Sequence, residues 1–377
     1  MIQINLYMNS IYKNRLLIAF MAIIPFYSIA QTMQFEPLNA YWNLVDTLKK
    51  GDSLSKEKWD DFLAIEANRT YVDNQGFDAN YLERFRKNLE LVYMPKNDSL
   101  LQTYIPAIEK DPSSYWFIYK VYVYKKYENE LKAFQKQLED PKYINRIYEQ
   151  AFEWLPRDLQ RKETGVNFYL IGIENDAIAG GEVVIATLWN LYNQDKINQG
   201  STAGHEMHHI LRNPVNFENV AEADLGLLYF LNGVLNEGSA DMIDKPKNIQ
   251  FEDEIPGELQ FKEFVLYQAD SIIKVVNTNI IELQNSKGAS FKTERDYRNL
   301  VKWTSGHCPG YYMADIIVRN GYKKQLLKNI QNPFYFMYLY NKAAKKDKSS
   351  PALFSESSIK YIKSLETKYW VEPRGKA

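Results

Sequence analysis

The chain has 377 residues, 45% hydrophobic and 14% aromatic, enough to bury one large core or two modest ones without disulfides. Lys and Arg number 46 against 47 Asp and Glu, so no global field attracts a polyanion or an anionic bilayer, and nucleic acid is excluded as a partner class. Cys308 is the only cysteine; it permits no intrachain disulfide and reads as a small buried hydrophobe rather than a nucleophile.

Lys13 and Arg15 precede an apolar run from Leu16 to Ala30 that ends in Ser28-Ile29-Ala30. This is the pattern of a signal peptide over 1–30, with the mature chain starting at Gln31 and a periplasmic or secreted destination. The run is interrupted by Pro25 and falls short of the ~20 residues that span a bilayer, so no stable membrane insertion is expected once the leader is removed.

From Gln31 to about residue 160 the pattern is helical, with Ile144, Ile147, Tyr148, Ala151 and Leu155 recurring at helical spacing. Tyr115 to Tyr127 interleaves rings with lysines. Such a stretch can stack bases or sugars, but the neutral charge balance favours a half-buried amphipathic segment.

After Lys162 the texture changes. Gly165 to Ile173 and Glu182 to Ala186 are rich in Val, Ile, Phe and Tyr and are separated by Asn175-Asp176 and Gly180-Gly181, which predicts two strands of a small mixed sheet. Helical patterns resume near Gln199, run from about Glu218 to Ile243, and recur over Phe261 to Gln284, Pro309 to Asn320 and Ser355 to Tyr369. Lys342 to Ser350 reads as a polar loop. The expected fold is α+β, mainly α: a core over 161–245 holding the sheet, flanked by helical regions over 31–160 and 246–377.

The chemistry concentrates in Gly204-His205-Glu206-Met207-His208-His209-Ile210. On a helix, His205 and His209 project from one face with about 6 Å between Cβ atoms, a spacing that suits two imidazoles on one zinc ion. Ala203, Met207, Ile210 and Leu211 group on the other side and anchor the helix, and Asn213-Pro214 ends it. His208 is rotated about 60° from His205 and about 100° from His209, so it belongs to the surface or the cleft wall rather than to the metal.

A hydrolytic zinc site takes three protein ligands and keeps a fourth position open. No His lies between Asn213 and Asn236, so the third ligand has to be an acid. Glu237 sits within a helical pattern from Val220 to Ile243 and shares a face with Asp241; Glu218, Glu222 and Asp224 are alternatives nearer the first motif. Glu206, beside the paired histidines, is the expected general base for the attacking water.

His205-Glu206-x-x-His209 followed by Asn236-Glu237-x-x-x-Asp241 resembles the gluzincin zinc metallopeptidases, the group of thermolysin, over about forty residues. The resemblance implies a zincin-like catalytic core with Glu237 as third zinc ligand. It further implies that Asp241 hydrogen-bonds the distal nitrogen of a ligand histidine, His205, as carboxylates behind a metal site do. A Tyr or His downstream of the third ligand stabilises the oxyanion in that group, which makes His307, Tyr311 and Tyr312, in Gly306 to Ala314, the candidates here. Peptidases of this type also bind substrate as an added strand on a sheet edge, for which Gly181, Glu182 and Val183 are placed. The Gly-x-Met-Glu-Asn signature of aminopeptidases is absent.

The remainder of the chain resembles bacterial zinc-dependent peptidases of unassigned substrate. The expected function is therefore hydrolysis of a peptide or protein substrate with Zn2+ as cofactor. Two other readings are a non-catalytic exported binding protein with a structural or vestigial zinc site, and a zinc hydrolase of a non-peptide amide.

Overall fold

The computed structural model describes residues 31–261, 266–301 and 306–371. The leader expected over 1–30 lies outside the described residues, as do 262–265 within the helical pattern expected from Phe261.

The amino-terminal half begins with helices α1 (Glu36–Lys49), α2 (Lys56–Ala64), α3 (Glu66–Gln75), α4 (Ala79–Tyr93), α5 (Asp98–Lys110), α6 (Trp116–Lys126), α7 (Glu128–Gln137) and α8 (Lys142–Phe152). Capping residues set their starts: the Ser55 hydroxyl accepts from Lys58 N–H and the Asp78 carboxylate from Tyr81 N–H, each replacing a helix bond that the first turn lacks. On α8 the stripe Ile144, Ile147, Tyr148 and Ala151 is buried, as its spacing predicts.

Helix α6 departs from the half-buried segment expected there. Every residue from Tyr119 to Tyr124 is buried, Lys120 included. The cause is a partner from across the molecule: the Lys120 ammonium pairs with the buried Glu174 carboxylate and lies 4.2 Å from the Phe117 ring centre and 4.5 Å from that of Tyr81. A lysine enters an interior only when such a pairing offsets its lost hydration.

The sheet has four strands, β1 (Met33–Gln34), β2 (Asn167–Ile171), β3 (Ala177–Gly180) and β4 (Val183–Thr187), in the order β1-β2-β4-β3. β1, β2 and β4 are parallel and β3 runs antiparallel to β4, so the sheet is small and mixed. Strand β4 is paired on both sides, Val183 with Asn167 and with Gly180, which corrects the placing of Gly181, Glu182 and Val183 on an edge. Gly181, at φ 58°, takes a left-handed conformation that suits glycine. The chain turns there, and β3 folds back over the side of β4 that would otherwise be free. The edge strand on that side of the sheet is β3, and β1 is the edge on the other side.

Next come α9 (Leu188–Ile197), α10 (Ser201–Arg212) and the long α11 (Glu222–Gln250), then α12 (Ala269–Asn285), α13 (Glu294–Val301), α14 (His307–Arg319), α15 (Lys323–Lys328), α16 (Pro333–Ala344) and α17 (Glu356–Tyr369). Among the described residues no helix is long and apolar enough to cross a membrane. The fold is thus α+β and mainly helical.

Among the described residues two hydrophobic cores result. The first gathers the amino-terminal helices, the sheet and α10, ending with Leu211; the second takes up Trp154 and then runs from Leu227 to Tyr369. The core changes between α10 and α11. The two candidate zinc motifs therefore belong to different cores and meet along a seam.

Candidate metal centre

Helix α10 is held by Ala203, Met207 and Leu211, all fully buried, and stops at Asn213, whose φ of 51° lies in the left-handed region just before Pro214. Ile210, expected in the anchoring stripe, is half-buried and lines the cleft instead. His208 is completely buried, which corrects its expected place at the surface or cleft wall. Burial holds its imidazole well below the ordinary histidine range and therefore neutral.

His205 and His209 present their rings edge to face with centroids 4.8 Å apart. The Nε2 atoms of His205 and His209 lie 3.6 and 3.3 Å from the same Glu237 oxygen, Oε2. Ligand atoms of the three residues all fall within 4.8 Å of one another. Bonds of 2.0–2.1 Å to a tetrahedral ion place neighbouring ligand atoms about 3.4 Å apart, so two imidazoles and a carboxylate at these separations fit a zinc ion. The acids offered as alternative ligands are elsewhere: Glu218 and Glu222 are exposed, and Asp224 accepts hydrogen bonds from Tyr361 and Tyr369 at 2.9 and 2.7 Å.

Glu237 is steered by its neighbours. Asn236 Nδ2 donates to Glu237 Oε1 at 3.0 Å, and Asn236 Oδ1 in turn accepts from Arg212 Nη2 at 2.9 Å. Arg212 is fully buried and also donates to the Ile330 carbonyl. One carboxylate oxygen is thereby occupied and the other left to face the histidines. Burial alone would raise the Glu237 carboxyl, but His209, His307 and His205 hold it well below the carboxylate range.

His307 reaches the centre because α14 crosses α11 at unusually close range. A Cβ on Gly238 would stand 2.3 Å from the Gly310 carbonyl oxygen, and one on Gly310 would stand 2.5 Å from that of Val234. Only hydrogen at both positions lets the backbones approach this closely. The crossing sets His307, on the first turn of α14, with Nε2 3.4 Å from Glu237 Oε2 and Nδ1 2.9 Å from Asp241 Oδ1. His205, Asp241 and His307 form a second set whose ligand atoms lie within 4.8 Å of one another.

The carboxylates behind the histidines are distributed differently from the resemblance. Asp241, expected on His205, is hydrogen-bonded to His307 Nδ1 through both oxygens, at 2.9 and 3.1 Å, and its oxygen is 3.7 Å from His205 Nδ1. Asp244 lies nearer His205 Nδ1, at 3.3 Å, and its other oxygen accepts from Lys245 at 2.8 Å. Asp244 and Lys245 stand outside the short motif, so spacing gave no signal for them. The remaining tyrosine candidates do not line the cleft: Tyr311 is buried with its ring against Phe261 at 5.5 Å, and the Tyr312 hydroxyl donates to Asp270 at 3.0 Å.

These residues open onto a cleft of about 1020 Å³ lined by His205, Glu206, His209, Glu237, His307 and the edge strand β3. Burial raises the Glu206 carboxyl above its ordinary value, with the neighbouring His205 and His209 pulling the other way.

No curated protein matches the chain, and no solved structure does. A family model matches residues 59–349, a span that holds every residue of the centre, and the chain belongs to that family, described as "Putative zinc dependent peptidase (DUF5700)".

Proposed function

We propose that the protein is an exported zinc metallopeptidase of the gluzincin type that cleaves peptide bonds with Glu206 as general base. The observation that carries this reading is the convergence of His205 and His209 on one oxygen of Glu237, with Glu206 on the same cleft wall. Zinc, when bound, supplies Lewis-acid polarisation of a substrate carbonyl and acidifies water towards a pKa of ~7. Glu206 takes the proton of the attacking water and passes it to the leaving amine.

His307 is the oxyanion donor in this scheme. Asp241 fixes its ring through Nδ1 and leaves Nε2 turned towards the centre. Burial opposes the charged form, but Asp241 and Glu237 raise the His307 pKa, and in its charged form the ring offers the Nε2 proton to a developing negative charge. An extended peptide lies along β3, whose outer edge borders the cleft, with main-chain hydrogen bonds holding it in register. Export rests on the leader pattern from Lys13 to Ala30. A buried Glu206 has no task in a purely structural zinc site, which favours the enzyme over a binding protein.

The test is metal analysis of the purified chain together with peptide-library cleavage, with and without a zinc chelator. About one zinc per chain is expected, with cleavage abolished by the chelator. Glu206→Gln should keep the zinc and lose hydrolysis by about two to four orders of magnitude; undiminished turnover would remove the proposed base.

A further inference from the structure

One wall of the cleft keeps buried polar atoms that meet nothing among the described residues. Asn175 is 8% exposed and lines the cleft, and neither its Oδ1 nor its Nδ2 has a hydrogen-bond partner. Asn190 Oδ1, Gln194 Oε1 and the Thr202 hydroxyl line the same cleft and are also buried and unpaired. Asn175, Asn190 and Gln194 are neighbours. Asn190 Nδ2 donates to the Asn175 carbonyl at 2.8 Å, and Gln194, one turn further along α9, donates to the Leu259 carbonyl at 3.3 Å.

Two carboxylates share the wall. Asp176 follows Asn175 directly, and Glu258 precedes Leu259. Glu258 accepts from the Tyr119 hydroxyl at 2.7 Å and from Trp189 Nε1 at 3.0 Å, both on Oε1. Neither carboxylate has a salt-bridge partner among the described residues, and the single lysine or arginine on the lining, Lys245, is already compensated by Asp244 at 2.8 Å and Asp241 at 3.8 Å.

The hydrogen-bonding balance selects the ligand. Buried polar atoms are almost always paired in native proteins, so several unpaired ones on a cleft wall point to a bound group that completes them. Three carboxamide oxygens and two carboxylates face one free amide donor and one hydroxyl. A neutral carboxamide or sugar would bring acceptors of its own and leave both carboxylates without a counter-charge. A guanidinium brings five N–H donors and an ammonium three, with no acceptor in either.

We infer that this wall is a substrate subsite for a cationic side chain, arginine or lysine, of a peptide lying across the metal centre. The inference rests on the peptidase reading above for its substrate class. Asp176 and Glu258 line the same cleft as Glu206 and the paired histidines, so the subsite and the metal centre share one opening.

The experiment compares peptide pairs that differ only by arginine or its neutral isostere citrulline, moved position by position along the sequence. Both kcat/KM on the zinc-loaded full chain and Kd on the Glu206→Gln variant, which needs no turnover, are measured. At one position arginine should be favoured about ten-fold or more in both. Asp176→Asn combined with Glu258→Gln should cut that ratio about ten-fold. Asn175→Asp, which adds a carboxylate where the side chain makes no hydrogen bond, should raise the ratio, a change that misfolding does not produce. Equal use of arginine and citrulline at every position overturns the subsite. Selective binding of arginine without any hydrolysis by the unaltered chain upholds the subsite and removes the peptidase reading, whereas hydrolysis without a basic preference does the reverse.

Discussion

Gly310→Ala tests whether the α11–α14 crossing sets the chemistry. The added methyl would stand 2.5 Å from the Val234 carbonyl oxygen and 2.8 Å from Gly238 N, where ordinary contact begins at 3.4 Å. Both obstacles are backbone, so α14 has to retreat by about 1 Å, at a cost of ~1–3 kcal/mol in stability. His307, three residues away, moves with it. A displacement of that size in a catalytic group lowers the rate by roughly 100-fold. The three residues fitted to zinc come from α10 and α11, so metal content should stay near one per chain. Calorimetry, metal analysis and kcat on one good peptide separate these effects. A variant with unchanged kcat and a Tm close to that of the unaltered chain would refute the argument, because it would mean the crossing has slack. Loss of zinc with the rate would place His307 among the metal ligands instead.

Three further outcomes are expected. His307→Ala should keep zinc and lose about two to three orders of magnitude in kcat, read by the same metal and rate assays. Asp244→Asn should weaken zinc binding about 10–100-fold by loosening His205, measured by competition with a chromophoric chelator; equal affinity would assign no such role to Asp244. Asp195→Asn should stabilise the protein at pH 8. Burial pushes the Asp195 carboxyl up to about 7 from 3.8, so the folded state favours the proton more than the unfolded state does. Its contribution is fully favourable below pH 4 and is lost as pH rises through 7. The variant keeps an oxygen for the Gly200 N–H, and its advantage, on the order of 2–4 kcal/mol at pH 8, should disappear at pH 4 in urea melts.

The mainly helical α+β class was legible because long amphipathic stretches such as Lys142 to Phe152 carry their period in the sequence, and because the β2 and β4 runs are dense in β-branched and aromatic residues. Strands β1 and β3 were not. Met33–Gln34 is too short for a period, and Ala-Ile-Ala-Gly carries little strand preference, so both exist through pairing with their neighbours. At the site, the spacing of His205 and His209 speaks for itself since both sit on one helix. Where the carboxylates go was hidden. Asp241 and Asp244 project from nearby positions on α11, and which histidine each meets depends on how α10 and α14 cross that helix. Only the Gly238–Gly310 contact decides it, and that is a long-range fact. The aromatic-basic stretch in α6 misled for a related reason: Lys120 looks solvent-seeking until Glu174, far along the chain, supplies its counter-charge.

That ion pair has a consequence for how the molecule can be divided. Glu174 borders the cleft and its counter-charge comes from α6, while Tyr119, the residue before Lys120, holds Glu258 on the lining of the same cleft. A fragment starting at residue 161 would retain every candidate metal ligand and yet carry an uncompensated carboxylate inside its wall. The charge balance of the cleft lining therefore depends on a helix some fifty residues upstream in sequence, and grafts or truncations of this protein have to carry α6 along with the histidines.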